Sequence, residues 1–319
     1  MGAVMQRETG LHLGRILICD SIHGDSVRIL EDSGFKVDFK PSIEAEELLN
    51  EVSRYDALIV RSRTKITKPV LEAGKNLKVV ARAGVGLDNI DVEAASKLGI
   101  TVINSPEASS NAVAELVIGL MLSLARRIPE ADASIKRGEW IKGRLTGFEL
   151  KGKTLGIIGF GRIGYHVAKK AKAFDMRVLV YDVILEKLMD HVRDVGGEAV
   201  SFEEVLSGSD FVTLHVPLTP GTQHLIGEGE LSKMKKNAYL INTSRGAIVD
   251  EEALVKALKT GRIAGAALDV YEEEPPKRKE LTELNNVVCT PHIGAETIEA
   301  QKAHGVIIAE KLINLFKKG

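Results

Sequence analysis

The stretch GIIGFGRIG, residues 156–164, decides the fold of this 319-residue chain. The apolar residues in front of it are typical of a buried strand, and RIGYHVAKKAKAF behind it is typical of an amphipathic helix. Gly159, Gly161 and Gly164 stand at the spacing G-x-G-x-x-G where the strand turns into the helix. Such a turn normally joins the first strand of its domain to the first helix, yet here it lies halfway along the chain. The residues before it must therefore form a domain of their own.

The three glycines of this turn point to a dinucleotide. The first allows a tight turn, the second lets the backbone approach a pyrophosphate, and the third lets helix and strand pack closely. The N–H groups near Arg162 and Ile163, at the start of the helix, suit a diphosphate. Asp182 ends the next strand, where its carboxylate can bind both ribose hydroxyls and repel a 2′-phosphate. We therefore expect NAD rather than NADP, the alternative being that Asp182 merely caps a loop.

Short apolar segments alternate with helical patterns along almost the whole chain. The predicted strands are RILICD, KVDFK, ALIVRS, KVVARAG, TVINS, KTLGIIGF, RVLVYD, GEAV, FVTLHV, AYLINTS, AGAALDV and NVVCT. This alternation predicts an α/β fold with two doubly wound parallel-sheet domains. The amphipathic segment 296–316 is not needed by the second domain, so we expect it to fold back onto the first.

We thus predict a Rossmann NAD-binding domain inserted into a discontinuous flavodoxin-like substrate domain. The substrate domain comprises residues 1–104 and 292–319, and the NAD-binding domain comprises residues 105–291. The cleft between two such domains is expected to hold the site.

Local features give further expectations. The stretch 109–128 is apolar on most sides, which indicates a helix buried between elements or between subunits and interrupted by Pro129. The helix in SIEAEELLNEV is expected to start from a cap by Ser42. Cys19 and Cys289 lie in apolar strand-like runs, which favours buried free thiols.

Composition excludes several function classes. Lys and Arg number 43 against 44 Asp and Glu, so the charge balance favours neither nucleic acid nor an anionic membrane as a partner. The chain shows no signal peptide and no apolar run long enough to span a membrane. The two cysteines form no metal-ligand spacing, so we predict no metal and a cytoplasmic protein.

Three polar residues follow late strands and suit hydride transfer on a 2-hydroxy acid. Arg245 can bind a carboxylate through two parallel hydrogen bonds. His292 can take the hydroxyl proton as the hydride leaves, and Glu274 can orient the imidazole and favour its protonated form. The ordinary alternatives are a surface arginine at a helix start, a solvated loop carboxylate and a structural histidine.

From about residue 15 to its end, the chain resembles the D-isomer-specific 2-hydroxyacid dehydrogenases. The stretches that carry the resemblance are VRSRTKIT, ARAGVGLDNID, GIIGFGRIG, INTSRGAIVDE, GAALDVYEEEPP and TPHIGAET. The resemblance implies catalytic roles for Arg245, Glu274 and His292. It implies cofactor contacts for Gly159, Gly161, Arg162, Ile163, Gly164, Asp182, Val216, Pro217, Thr243 and Asp269. It implies substrate contacts for Arg61, Ser62, Arg82, Val85 and Gly86.

Within the family the similarity is greatest to the members that oxidise D-3-phosphoglycerate, the first step of serine biosynthesis. The basic loop VRSRTK favours such a doubly charged substrate, although Arg63 and Lys65 are equally read as a solvated loop. A glyoxylate or hydroxypyruvate reductase is the nearest alternative, and a dinucleotide-sensing binding protein is a third. The chain stops at Gly319, without the C-terminal domains of many such members, so we expect no feedback through them. We also expect a homodimer formed through the 109–128 helix.

Overall fold

In the computed structural model, which describes residues 13–318, the chain forms two compact units. The first comprises the described residues up to Ser109 together with those from Ala295 onward, and the second comprises Ser110–Gly294. The sequence placed the two divisions after residues 104 and 291, a few residues earlier in both cases. His292, which the sequence assigned to the substrate domain, therefore lies in the second unit.

The first unit is built on a parallel sheet of five strands in the order β2-β1-β3-β4-β5, the order typical of flavodoxin-like sheets. Its strands are β1 Gly14–Ile18, β2 Phe35–Phe39, β3 Ala57–Val60, β4 Val79–Arg82 and β5 Thr101–Asn104. Its helices are α1 Gly24–Asp32, α2 Ala45–Glu51, α3 Lys68–Ala73, α4 Val92–Lys97 and, from the end of the chain, α13 Ile298–Lys318.

Helix α13 returns to the first unit and completes its core. Its buried residues include Ala300, His304, Ile308 and Leu312, which recur every fourth position and so share one face. Ile308 and Leu312 belong to the same apolar cluster as residues of β1 and α1. A Cβ added to Gly305 would lie 1.9 Å from the hydroxyl of a serine on α1, so the two helices approach each other closely.

The second unit is built on a parallel sheet of seven strands in the order β12-β11-β10-β9-β6-β7-β8. Its strands are β6 Thr154–Ile158, β7 Arg177–Tyr181, β8 Glu198–Ala199, β9 Phe211–Leu214, β10 Tyr239–Asn242, β11 Gly265–Leu268 and β12 Val287–Cys289. Its helices are α5 Ser110–Arg126, α6 Ile128–Lys136, α7 Arg162–Ala173, α8 Met189–Asp194, α9 Phe202–Gly208, α10 Glu228–Lys233, α11 Glu251–Lys259 and α12 Lys279–Thr282.

The order of this sheet reverses between β6 and β9, which is the switch point at which sheets of the Rossmann type bind ligands. Each of the twelve strands coincides with a segment predicted to be one, and both sheets are parallel. The predicted fold class is therefore confirmed. In the described part of the chain, no helix is long and apolar enough to cross a membrane.

The long apolar helix ends differently from the prediction. Helix α5 stops at Arg126, and Arg127 adopts a left-handed conformation with φ of 51°. Pro129 does not cause this break, because it lies in the first turn of α6. A proline is tolerated there since the N–H that it lacks would have no partner within the helix. The apolar side chains of α5 are buried against α7 and the sheet within the second unit.

Two smaller expectations were also wrong. Ser42 does not cap α2, whose N-cap is Glu44, because the chain first makes a turn in which the buried Ile43 donates its N–H to the carbonyl of Lys40 at 3.1 Å. Cys289 is exposed because it ends β12, an edge strand, whereas Cys19 is a buried free thiol as expected.

Candidate functional site

The three glycines of the turn between β6 and α7 differ in the space around them. Gly159 has a φ of 93°, and a Cβ there would lie 2.7 Å from the carbonyl group of His215. A Cβ on Gly164 would lie 2.4 Å from the carbonyl oxygen of Gly159. At Gly161 the added Cβ would meet no atom of residues 13–318 within 4 Å. The protein's own packing thus requires the first and third glycines, while the second faces open space.

That open space adjoins the N-terminus of α7. Gly161 is the N-cap, no side chain caps the helix, and Arg162 and Ile163 form its first turn. The first N–H groups of an α-helix have no partner within the helix, and the helix dipole adds partial positive charge there. A side chain at Gly161 would intrude on a ligand at this end, so the turn fits a phosphate group.

Asp182 stabilises the same turn through hydrogen bonds to backbone N–H groups. Its Oδ2 accepts a hydrogen bond from the Phe160 N–H at 2.7 Å, and its Oδ1 accepts one from the Ile184 N–H at 3.0 Å. Each carboxylate oxygen can accept a second hydrogen bond, so the group can hold the loop and bind ribose hydroxyls at once.

Three further predicted cofactor residues follow β9 and β10, the two strands beyond β6 in the sheet. Val216 is half-buried and Pro217 is exposed after β9, whereas Thr243 is buried after β10. The Oγ1 atom of Thr243 and the Nδ1 atom of His215 are both buried and have no hydrogen-bond partner among the described residues. Buried polar atoms are normally paired, so this edge of the sheet fits a ligand with polar groups such as a dinucleotide.

Glu274 and His292 form a pair in the second unit. The imidazole Nδ1 and the carboxylate Oε2 lie 2.7 Å apart. The other oxygen of Glu274 accepts the N–H of Tyr271 at 3.3 Å, which fixes the carboxylate relative to the end of β11. With Nδ1 occupied, the second ring nitrogen of His292, Nε2, remains for chemistry.

Asp269 holds the loop that carries His292. Its buried carboxylate accepts hydrogen bonds from the Thr290 hydroxyl at 2.6 Å and from the N–H groups of Ile293 and Gly294, both at 2.8 Å. His292 has a φ of 54°, an unusual conformation for a residue other than glycine. Asp269, predicted as a cofactor contact, is therefore also the residue that supports this backbone.

Arg245 follows β10 and lies near the pair. Its carbonyl accepts a hydrogen bond from the Asn242 side chain at 2.8 Å, which fixes the turn. A Cβ on the next residue, Gly246, would lie 1.8 Å from the carbonyl carbon of Tyr271. The backbones of the loops that carry Arg245 and Glu274 are therefore in close contact.

The pair shifts the protonation of both partners. The hydrogen bond and charge of Glu274 raise the pKa of His292, and Asp269 adds to this, while burial and Arg245 oppose it. Burial acts to raise the pKa of Glu274, but the hydrogen bond and charge of His292, with Arg245, bring it below the ordinary value. The arrangement therefore favours an imidazolium beside a carboxylate.

The predicted substrate residues lie in the first unit. Arg61 directly follows β3, and its guanidinium forms an ion pair with Glu296 at 2.5 Å. Its backbone is fixed on both sides, because the Arg61 N–H donates to Asp20 and its carbonyl accepts from Asn89. Ser62 beside it is exposed.

Arg63 has a structural role. Its guanidinium donates to the buried carboxylate of Asp20 at 3.1 Å and to the carbonyls of Cys19, Pro41 and Ile43. It thereby joins the ends of β1 and β3 to the loop before α2. The guanidinium of Arg63, in the basic loop VRSRTK, is therefore occupied by hydrogen bonds to the protein's own backbone.

The second predicted substrate loop follows β4. Arg82 is half-buried at the end of the strand, Val85 is exposed, and Gly86 is half-buried. The Asn104 side chain at the end of the neighbouring strand donates to the Val85 carbonyl at 2.6 Å. Both predicted substrate loops thus lie at the carboxyl ends of adjacent strands of the sheet.

The structure brings Arg245, Glu274 and His292 together in the second unit. In the first unit, Arg61 follows β3 and Arg82 ends the neighbouring strand β4. Sequence reasoning missed Glu296, although it stands inside the quoted stretch TPHIGAET, and it missed His304. A signal for His304 was present, since it interrupts an otherwise apolar face of α13. Among residues 13–318 no three His, Cys, Asp or Glu side chains are grouped as metal ligands would be.

Comparison with known proteins identifies the family. The model of the D-isomer specific 2-hydroxyacid dehydrogenase NAD binding domain matches residues 118–294, which make up most of the second unit.

Similar proteins extend the match to almost the whole chain. It is 53% identical over 299 residues to D-3-phosphoglycerate dehydrogenase of Methanocaldococcus jannaschii, covering 93% of this chain but 56% of that protein. It is 45% identical to hydroxypyruvate reductase of Thermotoga maritima, covering 93% of this chain and 97% of that one. The crystal structure of a glyoxylate reductase from Paecilomyes thermophila aligns with a TM-score of 0.85 at 34% identity, over 96% of each chain.

The chain spans little more than half the length of the phosphoglycerate dehydrogenases that it matches. The family assignment does not depend on that difference, because relatives of its own length match equally far along the chain. The chain belongs to the D-isomer specific 2-hydroxyacid dehydrogenase family and contains that family's NAD binding domain.

Proposed function

We propose that the protein oxidises D-3-phosphoglycerate to 3-phosphohydroxypyruvate with NAD, the first step of serine biosynthesis. The observation that carries this proposal is the contact of 2.7 Å between His292 Nδ1 and Glu274 Oε2, with Arg245 beside it. An imidazole held by a carboxylate next to a guanidinium provides a base for the hydroxyl group and a cation for the neighbouring carboxylate.

In the proposed reaction, Arg245 binds the carboxylate of the substrate and orients its C2 hydroxyl. Nε2 of the neutral His292 accepts the hydroxyl proton while C2 loses its hydride, so the alcohol becomes a ketone. Glu274 stabilises the imidazolium that results, without taking the proton itself. Bound NAD supplies the hydride acceptor, and we assign its binding to the glycine turn, Asp182, Val216, Pro217, Thr243 and Asp269.

The choice of NAD over NADP follows from Asp182. Its negative charge would repel a 2′-phosphate, and the residues VILEK behind it offer no arginine to receive one.

The phosphate is assigned to the first unit, where Arg61 follows β3 and Arg82 ends the neighbouring strand β4. Several relatives at 44–53% identity bear the name D-3-phosphoglycerate dehydrogenase, which supports this substrate.

A hydroxypyruvate or glyoxylate reductase is the second candidate, and one observation favours it. Glu296 already compensates the charge of Arg61, and Arg63 is committed to the backbone, so fewer cations of the loop remain for a phosphate. The relative that matches along 97% of its own length bears the name hydroxypyruvate reductase.

We also propose that the protein works as a cytoplasmic homodimer. Because the apolar face of α5 is already buried within its own unit, the contact is assigned to the next segment. There Ile128 and Ile135 are exposed and Trp140 is 81% exposed. Large exposed apolar side chains grouped in one segment mark association surfaces. Sedimentation velocity tests this, and a monomer at micromolar concentration contradicts it.

A substrate panel tests the proposed reaction through the absorbance of the reduced nicotinamide. We expect kcat/KM for D-3-phosphoglycerate with NAD to exceed that for D-glycerate, and to exceed that with NADP. Arg61→Ala should raise KM for phosphoglycerate about tenfold or more, since a lost charged hydrogen bond costs about 1.5–3 kcal/mol, and should affect glycerate less. Preferred reduction of glyoxylate or hydroxypyruvate would establish the second candidate. Binding of NAD without turnover of any acid would instead indicate a dinucleotide-sensing protein.

A further inference from the structure

A buried polar pair in the first unit takes no part in the chemistry described so far. His304 lies on α13 and is 4% exposed, and Ser105 directly follows β5 and is 0% exposed. The imidazole Nδ1 and the serine Oγ are 2.7 Å apart. The contact joins residues 199 positions apart in the sequence.

A neutral imidazole suits the hydrogen bonds of this pair. The Ser105 Oγ accepts the N–H of Gly84 at 3.2 Å and can donate its own hydrogen to Nδ1 of His304. In that arrangement the imidazole carries its hydrogen on Nε2. Burial, with the charges of Arg82 and Arg61, lowers the pKa of His304 to about 4, so this state persists at neutral pH.

Gly84, the third member of this chain of contacts, lies directly against Arg82. A Cβ on Gly84 would be 1.7 Å from Nη1 of Arg82 and 2.6 Å from its guanidinium carbon. The Gly84 N–H also points to the Arg82 carbonyl at 2.8 Å. The guanidinium therefore packs against the backbone of Gly84, so a shift of that turn would also move the guanidinium.

His304 is a polar residue at a core position of α13. The positions four residues away on either side, Ala300 and Ile308, are apolar and buried. Nε2 of His304 is buried without a partner among residues 13–318, and an unpaired buried polar atom destabilises a fold. A residue that costs stability at a core position indicates a task other than packing.

We propose that His304 is a positioning residue: through Ser105 it fixes the Gly84 turn and thereby the guanidinium of Arg82. The proposal rests on the proposed function in one respect, namely that Arg82 binds an anionic group of the substrate. His304 itself does not contact the substrate. Its effect is to hold one cation in the geometry that binding requires.

The test compares KM for D-3-phosphoglycerate in four variants of the full chain. His304→Leu and Ser105→Ala each break the chain of contacts, and each should raise KM about tenfold, while kcat and KM for NAD stay within about twofold. His304→Asn is the matched control, because its side-chain oxygen can accept the Ser105 hydroxyl as Nδ1 does, and it should keep KM near that of the unmodified protein. His304→Gln places its amide where Nε2 lies and should behave like the leucine variant.

A double-mutant cycle separates this role from a purely structural one. In an Arg82→Ala background, His304→Leu should raise KM no further, since the residue through which it acts is gone. Thermal melts accompany each variant, because a structural histidine would lower the melting temperature without moving KM. An unchanged KM in both His304→Leu and Ser105→Ala overturns the proposal, and so does an additive effect in the Arg82→Ala background.

Failure of the substrate assignment gives a different pattern. If the unmodified protein turns over another 2-hydroxy acid, the same comparison is made with that acid. A raised KM in His304→Leu then supports the positioning role while phosphoglycerate is rejected. If no acid is turned over, the dissociation constant of inorganic phosphate is measured by calorimetry in the unmodified, His304→Leu and Arg82→Ala proteins. Equal constants in the first two overturn the role of His304.

Discussion

In the proposed mechanism, Glu274 sets the pH range in which His292 acts. Because its charge raises the pKa of the imidazole, oxidation should speed up as the pH rises through that pKa, since the base must begin neutral. Reduction should slow over the same range, because the acid must begin protonated. Glu274→Gln keeps the shape but removes the charge, so the pKa of His292 falls and both midpoints should move to lower pH. Profiles of kcat/KM in both directions measure this.

His292→Ala removes the base altogether. We expect kcat to fall by about 10² to 10⁴, the usual contribution of a general acid–base residue, with the dissociation constant of NAD almost unchanged. A midpoint that does not move in Glu274→Gln would show that the pair does not control the titration. Full activity in His292→Ala would assign the proton transfer to another residue.

At the scale of residues, the proximity of two predicted side chains could be foreseen where each of them follows a strand. Glu274 and His292 are 18 positions apart, and each lies in a loop after a late strand, so the parallel sheet places both at one edge. Sequence reasoning failed for Glu296 and His304, whose partners are 235 and 199 positions away. The position of His304 on an apolar helix face was a signal, but the partners of both residues depend on how α13 folds back, which no local pattern encodes.

At the scale of elements, two glycines of the turn between β6 and α7 are expected to serve different purposes. Gly164 should matter for stability and Gly161 for cofactor binding. Gly164→Ala forces a methyl group to within 2.4 Å of a backbone oxygen, so it should lower the free energy of unfolding by about 1–3 kcal/mol. Gly161→Ala is the matched control, because its Cβ meets nothing within 4 Å and its φ of −75° suits alanine. It should leave stability unchanged and weaken NAD binding. Chemical denaturation and calorimetric titration with NAD measure the two effects.

A Gly161→Ala protein that bound NAD as well as the unmodified one would place the pyrophosphate elsewhere. A Gly164→Ala protein of unchanged stability would show that α7 can move away from the turn at no cost.

The strands were predictable because both faces of a parallel sheet are covered, which makes each strand a short continuous apolar run. Helix ends were less predictable. The break at Arg127 depends on one left-handed residue, and the start of α2 depends on the burial of Ile43. Both reflect tertiary packing more than local residue preference.

At the scale of the whole molecule, the two units should differ in their ability to fold alone. The fragment 110–294 contains its complete sheet and should unfold cooperatively and bind NAD. The fragment 13–109 lacks α13, which supplies Ile308 and Leu312 to its core, and should not unfold cooperatively. The matched control joins 13–109 to 295–318 through a flexible linker, which should restore a cooperative transition. Circular dichroism melts of the three fragments measure this, and a stable 13–109 fragment would contradict it.

The discontinuity of the first unit could be predicted, because the sequence has one more helix after β12 than the second unit needs. The positions of the divisions were not, because α5 begins a few residues after the last strand of the first unit and no glycine or proline cluster marks the change.

The return of α13 also sets an order of events on the ribosome. Residues 13–109 emerge before the inserted unit, whereas the helix that packs against α1, β4 and β5 is synthesised after it. At the usual rate of about 5–20 residues per second, this apolar face waits roughly 10–40 s for its cover. The inserted unit completes its sheet within that interval, so we expect it to fold ahead of the segment that precedes it. We therefore expect the nascent first unit to be the part of the chain that depends most on a chaperone.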